Sequence, residues 1–243
     1  MKNRFIQLSA FLLFVCVTVA GKAQDQADFY DVGAIQQIDI KFEQKEWRYI
    51  LDSLRFNGDD VLLGDVTING KRIEDAGVRY RGTRAFQPGG KRNGMDILLN
   101  FIDQNTNYQG HQSIILSSAL RDPSMVREVL GFEIARNYMP APRANYAKVT
   151  VNGELYGLMV NVEPVDAAFV QRHFNESGSL IYRSAPKTEE RAPEDCRSGI
   201  HGSLQVDNSA GCYRSNYQLT LGSGGFDPIF NLAKVLNEKT DEI

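Results

Sequence analysis

The sequence predicts an α+β chain: an antiparallel sheet with a few amphipathic helices packed on it. Three observations predict it. Apolar residues alternate with polar ones at Ile38, Ile40 and Phe42, and again at Val78 and Tyr80, the period of half-buried strands. Two Asn-Gly pairs, Asn69-Gly70 and Asn152-Gly153, each sit between alternating runs and mark two-residue hairpin turns. Trp47, Ile50, Leu51 and Leu54 are spaced for one face of a helix.

Taken in order, the first elements are a strand from Ile35, a helix over 44–55, the hairpin turning at Asn69-Gly70, and the strand "AGVRYRG" (76–82), an antiparallel sheet before residue 83. The segment "TRAFQPGGKRNG" (83–94) has three basic side chains, three glycines and no apolar period, which reads as a mobile basic loop. "MDILLNFID" and "QSIILS" are strands. A helix should follow, with Asp122 as N-cap and Pro123 at its first position, stopping before Pro140 and Pro142. Then come the hairpin turning at Asn152-Gly153, a short helix "VDAAFVQRHF", a strand "GSLIYR", a polar loop over 185–202, and a helix in "FDPIFNLAKVLNEKT".

The chain has 243 residues, 42% hydrophobic and 23% charged, enough to bury a core. Residues 1–23 read as a secretory signal peptide: Lys2 and Arg4 precede an apolar run from Phe5 to Ala20 and a small-residue stretch. That run is short for a membrane span, and the residues before Cys16 are not the small ones that precede a lipidated cysteine, so the mature chain is expected to be secreted or at the cell surface, without a transmembrane helix. Removing Lys2, Arg4 and Lys22 leaves 24 Lys+Arg against 30 Asp+Glu, a net charge of −6, which argues against nucleic acid as a partner. Two cysteines remain, and an even count in an exported chain suggests a Cys196–Cys212 disulfide. His111, His173 and His201 are scattered and no CxxC occurs, so no zinc site is expected.

The helix after Pro123 poses a question. On a wheel of about 100° per residue, Glu133 and Arg136 fall inside the arc of Met125, Val129, Leu130, Phe132 and Ile134. A carboxylate on a buried stripe needs a cation. Arg136, one turn away, would make a purely structural pair; Arg81 or Lys91 from the neighbouring sheet would make one that holds a cation ready for a ligand phosphate.

"GVRYRGTRAF", followed by "RDPSMVREVLGFEIARNYMPAPRANYAKVTVNGELYGLMVNVEPVD", resembles the spore coat protein H (CotH) kinase family. The shared pattern is a strand ending in Lys/Arg-Gly, a DPS-x-x-RE helix, a P-A-P-R-like break, and an NGE-x-YG hairpin ending in V-E-x-x-D, over roughly residues 35–184. The resemblance implies an atypical, exported, two-lobed kinase-like protein that binds ATP with Mg or Mn and phosphorylates Ser or Thr of exported or cell-surface proteins. It implies a small lobe over 35–184, after a 24–34 N-terminal segment, and the start of a large lobe over 185–243. Arg81 takes the position before Gly82, Arg127 and Glu128 are the RE of the helix, Glu133 is the acid beyond, and Glu163 with Asp166 closes the hairpin. The expected cofactor-binding residues are therefore Arg81, Lys91, Glu133, Glu163 and Asp166; Glu163 and Asp166 have a rival role as caps of the next helix.

Two departures matter. Thr83-Arg84-Ala85 stands where the family has Asn-Ser-Ser, and a basic residue common in the next strand is replaced near Asp96. Gly89-Gly90-Lys91-Arg92 could still cradle phosphate, with a solvated loop as the competing reading. The resemblance places the family's catalytic and metal-binding aspartates in a C-terminal segment with an Asn-x-Asp-like and a Trp-Asp-x-Asp-like stretch, and the sequence stops at Ile243 before that segment; no catalytic residue is assigned, and the chain is expected to be an N-terminal fragment. A non-catalytic, invasin-like surface-binding module or a pseudokinase is the alternative.

Overall fold

The computed structural model describes residues 28–58, 60–82, 85–176, 178–184, 194–197 and 202–238. The expected signal peptide with Cys16, the Thr83-Arg84 step and His201 lie outside the described residues.

Seven strands form a closed barrel in the order β1-β2-β3-β4-β5-β7-β6. They are β1 (Ile35–Lys41), β2 (Leu62–Ile68), β3 (Lys71–Tyr80), β4 (Met95–Leu98), β5 (Ser113–Ser117), β6 (Ala144–Val151) and β7 (Glu154–Val162). Every neighbour pair is antiparallel except β1 with β6, which run parallel from Ile35↔Tyr146 to Ile40↔Val151 and close the sheet. The α+β class and the largely antiparallel sheet follow the sequence; the parallel seam does not appear in any local pattern, because it joins strands more than a hundred residues apart.

The two Asn-Gly turns behave as their chemistry requires. Asn69 and Gly70 have φ of 49° and 87°, and Asn152 and Gly153 have 51° and 82°. Both central residues of each hairpin are thus left-handed, the geometry that matches strand twist. The return of the first hairpin and "AGVRYRG" are a single ten-residue strand, β3, interrupted only by a bulge where Asp75 is left-handed.

The barrel interior is filled by alternate residues, among them Ile38, Ile40, Val66, Ile68, Val78, Met95, Ile97, Ile114, Leu116, Val149 and Met159. Helix α1 (Trp47–Asn57) packs beside β2 and β3 with Trp47 and Leu51 buried, and the Trp47 ring stacks on Phe42 at 5.5 Å. At one end, the N-terminal segment is built into the barrel rather than preceding it. Phe29 and Tyr30 join its core, and the buried Asn145 amide donates to the carbonyls of Phe29 and Asp31.

Helix α2 (Arg127–Ala135) lies on the outer face of β6, where Val129, Phe132 and Met125 pack on Ala144, Val160 and Val162. It begins four residues after the expected start. Pro123 belongs to the preceding turn, because Met125 is left-handed at φ 58° and breaks any helix begun at Pro123. Asp122 still caps the helix from a distance, its Oδ2 accepting the Arg127 N–H at 2.8 Å.

Helix α3 (Ala167–Phe174) follows β7. Beyond it, β8 (Ile181–Arg183) pairs with β9 (Gln218–Leu221) in a separate two-stranded sheet. That sheet, a 3-10 turn over Ala210–Ser215 and helix α4 (Asp227–Glu238) share a second core of Tyr213, Ile229 and Ala233 under Tyr182, Leu204, Tyr217, Phe226 and Phe230. Cys196 and Cys212 are joined in a disulfide, as expected from their parity.

Candidate functional site

The strand end that carries the Arg-Gly step is rigidly held. Arg81 pairs through its backbone N–H with the Gly94 carbonyl, and its side chain lies across Gly94, where a Cβ would come within 3.0 Å of the Arg81 Cγ and of the Leu116 carbonyl oxygen. Its guanidinium reaches Asp96 on β4 at 3.3 Å, and Arg79 reaches the same carboxylate at 3.5 Å. The single Asp96 carboxylate therefore offsets charge on both Arg79 and Arg81. From α1, Arg55 donates to the Gly82 carbonyl at 3.0 Å and fixes the next residue.

From Gln87 to Asn93 the basic loop is pinned, contrary to the expectation of a mobile segment. Asn93 is 1% exposed; its side chain bonds both the N–H and the carbonyl of Gln87, and the Tyr156 hydroxyl accepts its N–H and donates to its carbonyl. Gly89 N–H donates to Asp52 at 2.9 Å and Gly90 N–H to the Gln87 carbonyl at 2.9 Å. The two glycine amides proposed as a phosphate cradle are thus already satisfied inside the protein. Lys91 is exposed, and its carbonyl accepts from Arg48.

Glu133 is exposed, not buried, and among the described residues it forms no ion pair with Arg136, Arg81 or Lys91. Arg136 instead donates to the Pro142 carbonyl at 2.8 Å, tying the end of α2 to the Pro-rich break. The wheel failed because α2 uses only Val129 and Phe132 to contact the barrel. Leu130 and Ile134, the latter 51% exposed, face away from it.

Glu163 is the most deeply buried carboxylate among the described residues, at 1% exposure. It accepts from the Arg143 N–H at 3.0 Å and from both Arg143 Nη2 and the Arg172 guanidinium, the latter in a two-pronged clasp. Burial is the largest influence on its acidity and opposes ionisation, yet the hydrogen bonds from Arg172 and Arg143 together outweigh it and hold the carboxyl below its usual range. Arg143 also pairs with Asp28 at 2.6 Å and lies over the Tyr30 ring, which meets His111 edge-on at 5.0 Å. Burial, more than any charge, keeps His111 less basic than usual. Glu163 thereby joins β7, β6, α3 and the N-terminal segment. Asp166 caps α3, accepting the Phe169 N–H at 3.1 Å.

An open cleft of about 360 Å³ lies between Ala85, just past the Arg-Gly step, and the turn joining β5 to α2. Ala85, Ala119 and Leu120 supply apolar wall, and Arg121, Asp122, Arg127 and Glu128 supply charge. Asp122 organises the turn: Oδ1 accepts from the Ser124 N–H and hydroxyl, and Oδ2 from the Arg127 N–H. The Ser124 hydroxyl, ahead of these other partners, holds its carboxyl below the usual range. The cleft is built from "RDPSMVRE", read in sequence chiefly as a helix start. Its signal in the sequence is the density of charge around a Pro turn.

A family model described as CotH kinase protein matches residues 97–239. The chain belongs to the CotH kinase family. It is also 26% identical over 127 residues to the inner spore coat protein H of Bacillus subtilis (strain 168), covering 51% of this chain and 33% of that protein. The chain thus spans about a third of the length of that relative. The CotH match begins in β4 and runs through α4, so it takes in the "RDPSMVRE" turn, the Glu163 cluster and the second core alike.

Proposed function

We propose that this chain carries part of an exported CotH-type atypical protein kinase, which binds ATP with Mg or Mn and phosphorylates Ser or Thr of exported or cell-surface proteins. The family match over residues 97–239 is the observation that carries this reading. The disulfide and the spore-coat location in the relative's name support an oxidising, extracytoplasmic setting, and no helix among the described residues is long and apolar enough to cross a membrane. The nucleotide-binding role is assigned to Arg81, Lys91, Glu133, Glu163 and Asp166, with the catalytic and metal-binding aspartates supplied by a further segment of the protein. The small-lobe reading of 35–184 and the large-lobe reading of 185–243 belong to the same proposal.

Two observations favour a second reading, a surface-binding module or pseudokinase. Arg81 is already paired with Asp96, and the Gly89 and Gly90 amides are already bonded. Isothermal titration of ATP with Mg²⁺ or Mn²⁺ into the full-length protein, followed by phosphate transfer to a Ser/Thr peptide, separates the readings. Metal-dependent binding with transfer supports the kinase. Binding without transfer supports the pseudokinase, and a folded protein that binds no ATP supports the surface module.

A further inference from the structure

We propose that the cleft beside the β5–α2 turn receives the phosphate end of the nucleotide, with Arg121 and Arg127 as the anion-contacting residues. This rests on the nucleotide reading above and places the contact on residues outside those assigned there.

The argument is one of available donors. A phosphate needs several N–H groups or cations that are not already satisfied. Along the Arg-Gly strand and its loop, Arg81 is only 26% exposed with its Nε on Asp96, while Gly89, Gly90 and Asn93 have donated their amides to Asp52, Gln87 and Tyr156. Across the cleft the balance is the opposite. Arg127 has a side chain 75% exposed and a single long contact to Asp122, 3.8 Å, beside one bond to the Arg121 carbonyl at 3.3 Å. A guanidinium has five N–H donors, so most of this fork is uncommitted. Arg121 is exposed and makes no ion pair among the described residues.

The cleft also has the right make-up for a molecule with a flat apolar body and an anionic tail. Its 360 Å³ lies within the range of small-molecule sites, and its wall is apolar with a few charges at the rim. Asp122 does not compete for the ligand's cations, because its oxygens are occupied by Ser124 and by the first amide of α2. The ligand's phosphate replaces the long Asp122 contact of Arg127 with a short, charge-assisted one. Gly82, the residue after Arg81, lies against Ala85, so the same cleft adjoins the family's Arg-Gly step.

The test uses the full-length protein and two probes, ATP with Mg²⁺ and inorganic triphosphate, titrated calorimetrically into the unmutated chain, R121Q, R127Q and the double variant, with K45Q, at an exposed lysine outside both sets of residues, as a control. Both arginines are exposed, so unchanged melting temperatures are expected. Each substitution should weaken both probes roughly tenfold, and the salt dependence of binding should flatten in the double variant while K45Q stays within twofold of the unmutated chain. ATP affinity unchanged in the double variant, with the unmutated chain binding, would overturn the assignment and leave the nucleotide reading standing. Failure of the unmutated chain to bind either probe would remove both.

Discussion

At Glu163 a buried charge is stabilised by two cations that come from different elements, Arg143 at the start of β6 and Arg172 in the last turn of α3. Removing the carboxylate leaves two guanidinium groups facing each other beside Tyr30, so Glu163→Ala should cost about 3 kcal/mol, the scale for breaking a buried pair, read as a fall in melting temperature. The pH dependence has a definite sign. Because the folded carboxyl is held below its unfolded value, its contribution is complete above about pH 4.3 and is lost as pH falls through the lower folded value. Glu163→Gln should flatten the acid limb of a stability–pH profile; an unchanged limb would mean that other carboxylates set it. Tyr156 supports a second residue-scale prediction. Its hydroxyl serves both backbone groups of Asn93, so Tyr156→Phe leaves a buried amide unsatisfied and should cost about 1–3 kcal/mol. Hydrogen exchange at the Asn93 amide should quicken; exchange as slow as in the parent would refute this anchor.

At the scale of elements, α2 shows where sequence reading succeeds and where it stops. The hairpins were legible because Asn-Gly carries its own backbone preference, and helices α1, α3 and α4 were legible because their apolar spacing matched their buried faces. Helix α2 has apolar residues on more of its circumference than the barrel covers, and no periodicity reveals which part is covered. The same gap hid the candidate site. Arg121 and Arg127 were visible as motif letters, whereas which guanidinium groups are paired is set by contacts that no local pattern shows, such as that of Arg81 with Asp96. The parallel β1–β6 seam and the docking of Phe29 and Tyr30 were equally non-local. Helix α2 is tested by a pair of substitutions. Val129→Ala should destabilise by about 2 kcal/mol through lost burial against Ala144, Val160 and Val162, whereas Ile134→Glu should change stability by less than about 0.5 kcal/mol. Comparable losses in chemical denaturation would show that the outer face of α2 is covered in solution.

Across the whole molecule there are two non-contiguous cores, the barrel with its outer α2 layer and the smaller one under α4, and the family match extends over parts of both. Helix α3 lies between them, held to the barrel by Arg172 on Glu163 and facing a cleft lined by Ala167, Val170, Leu221 and Gly222 on the other side. The second core is small, and the Cys196–Cys212 bridge, 16 residues apart in sequence, closes a loop that contributes Leu204 to it and ends beside its Tyr213. In the chain-entropy account such a loop contributes about 3 kcal/mol, a large fraction of what a core of that size holds by itself. Reduction should therefore act locally. Amide exchange in the presence of a thiol reductant should accelerate across β8, β9 and α4, while amides of β1 to β7 keep their protection, since their hydrogen bonds and core lie elsewhere. If barrel amides accelerate in step with α4, the two cores unfold together, and α3 transmits the loss through the Glu163 clasp rather than insulating one core from the other.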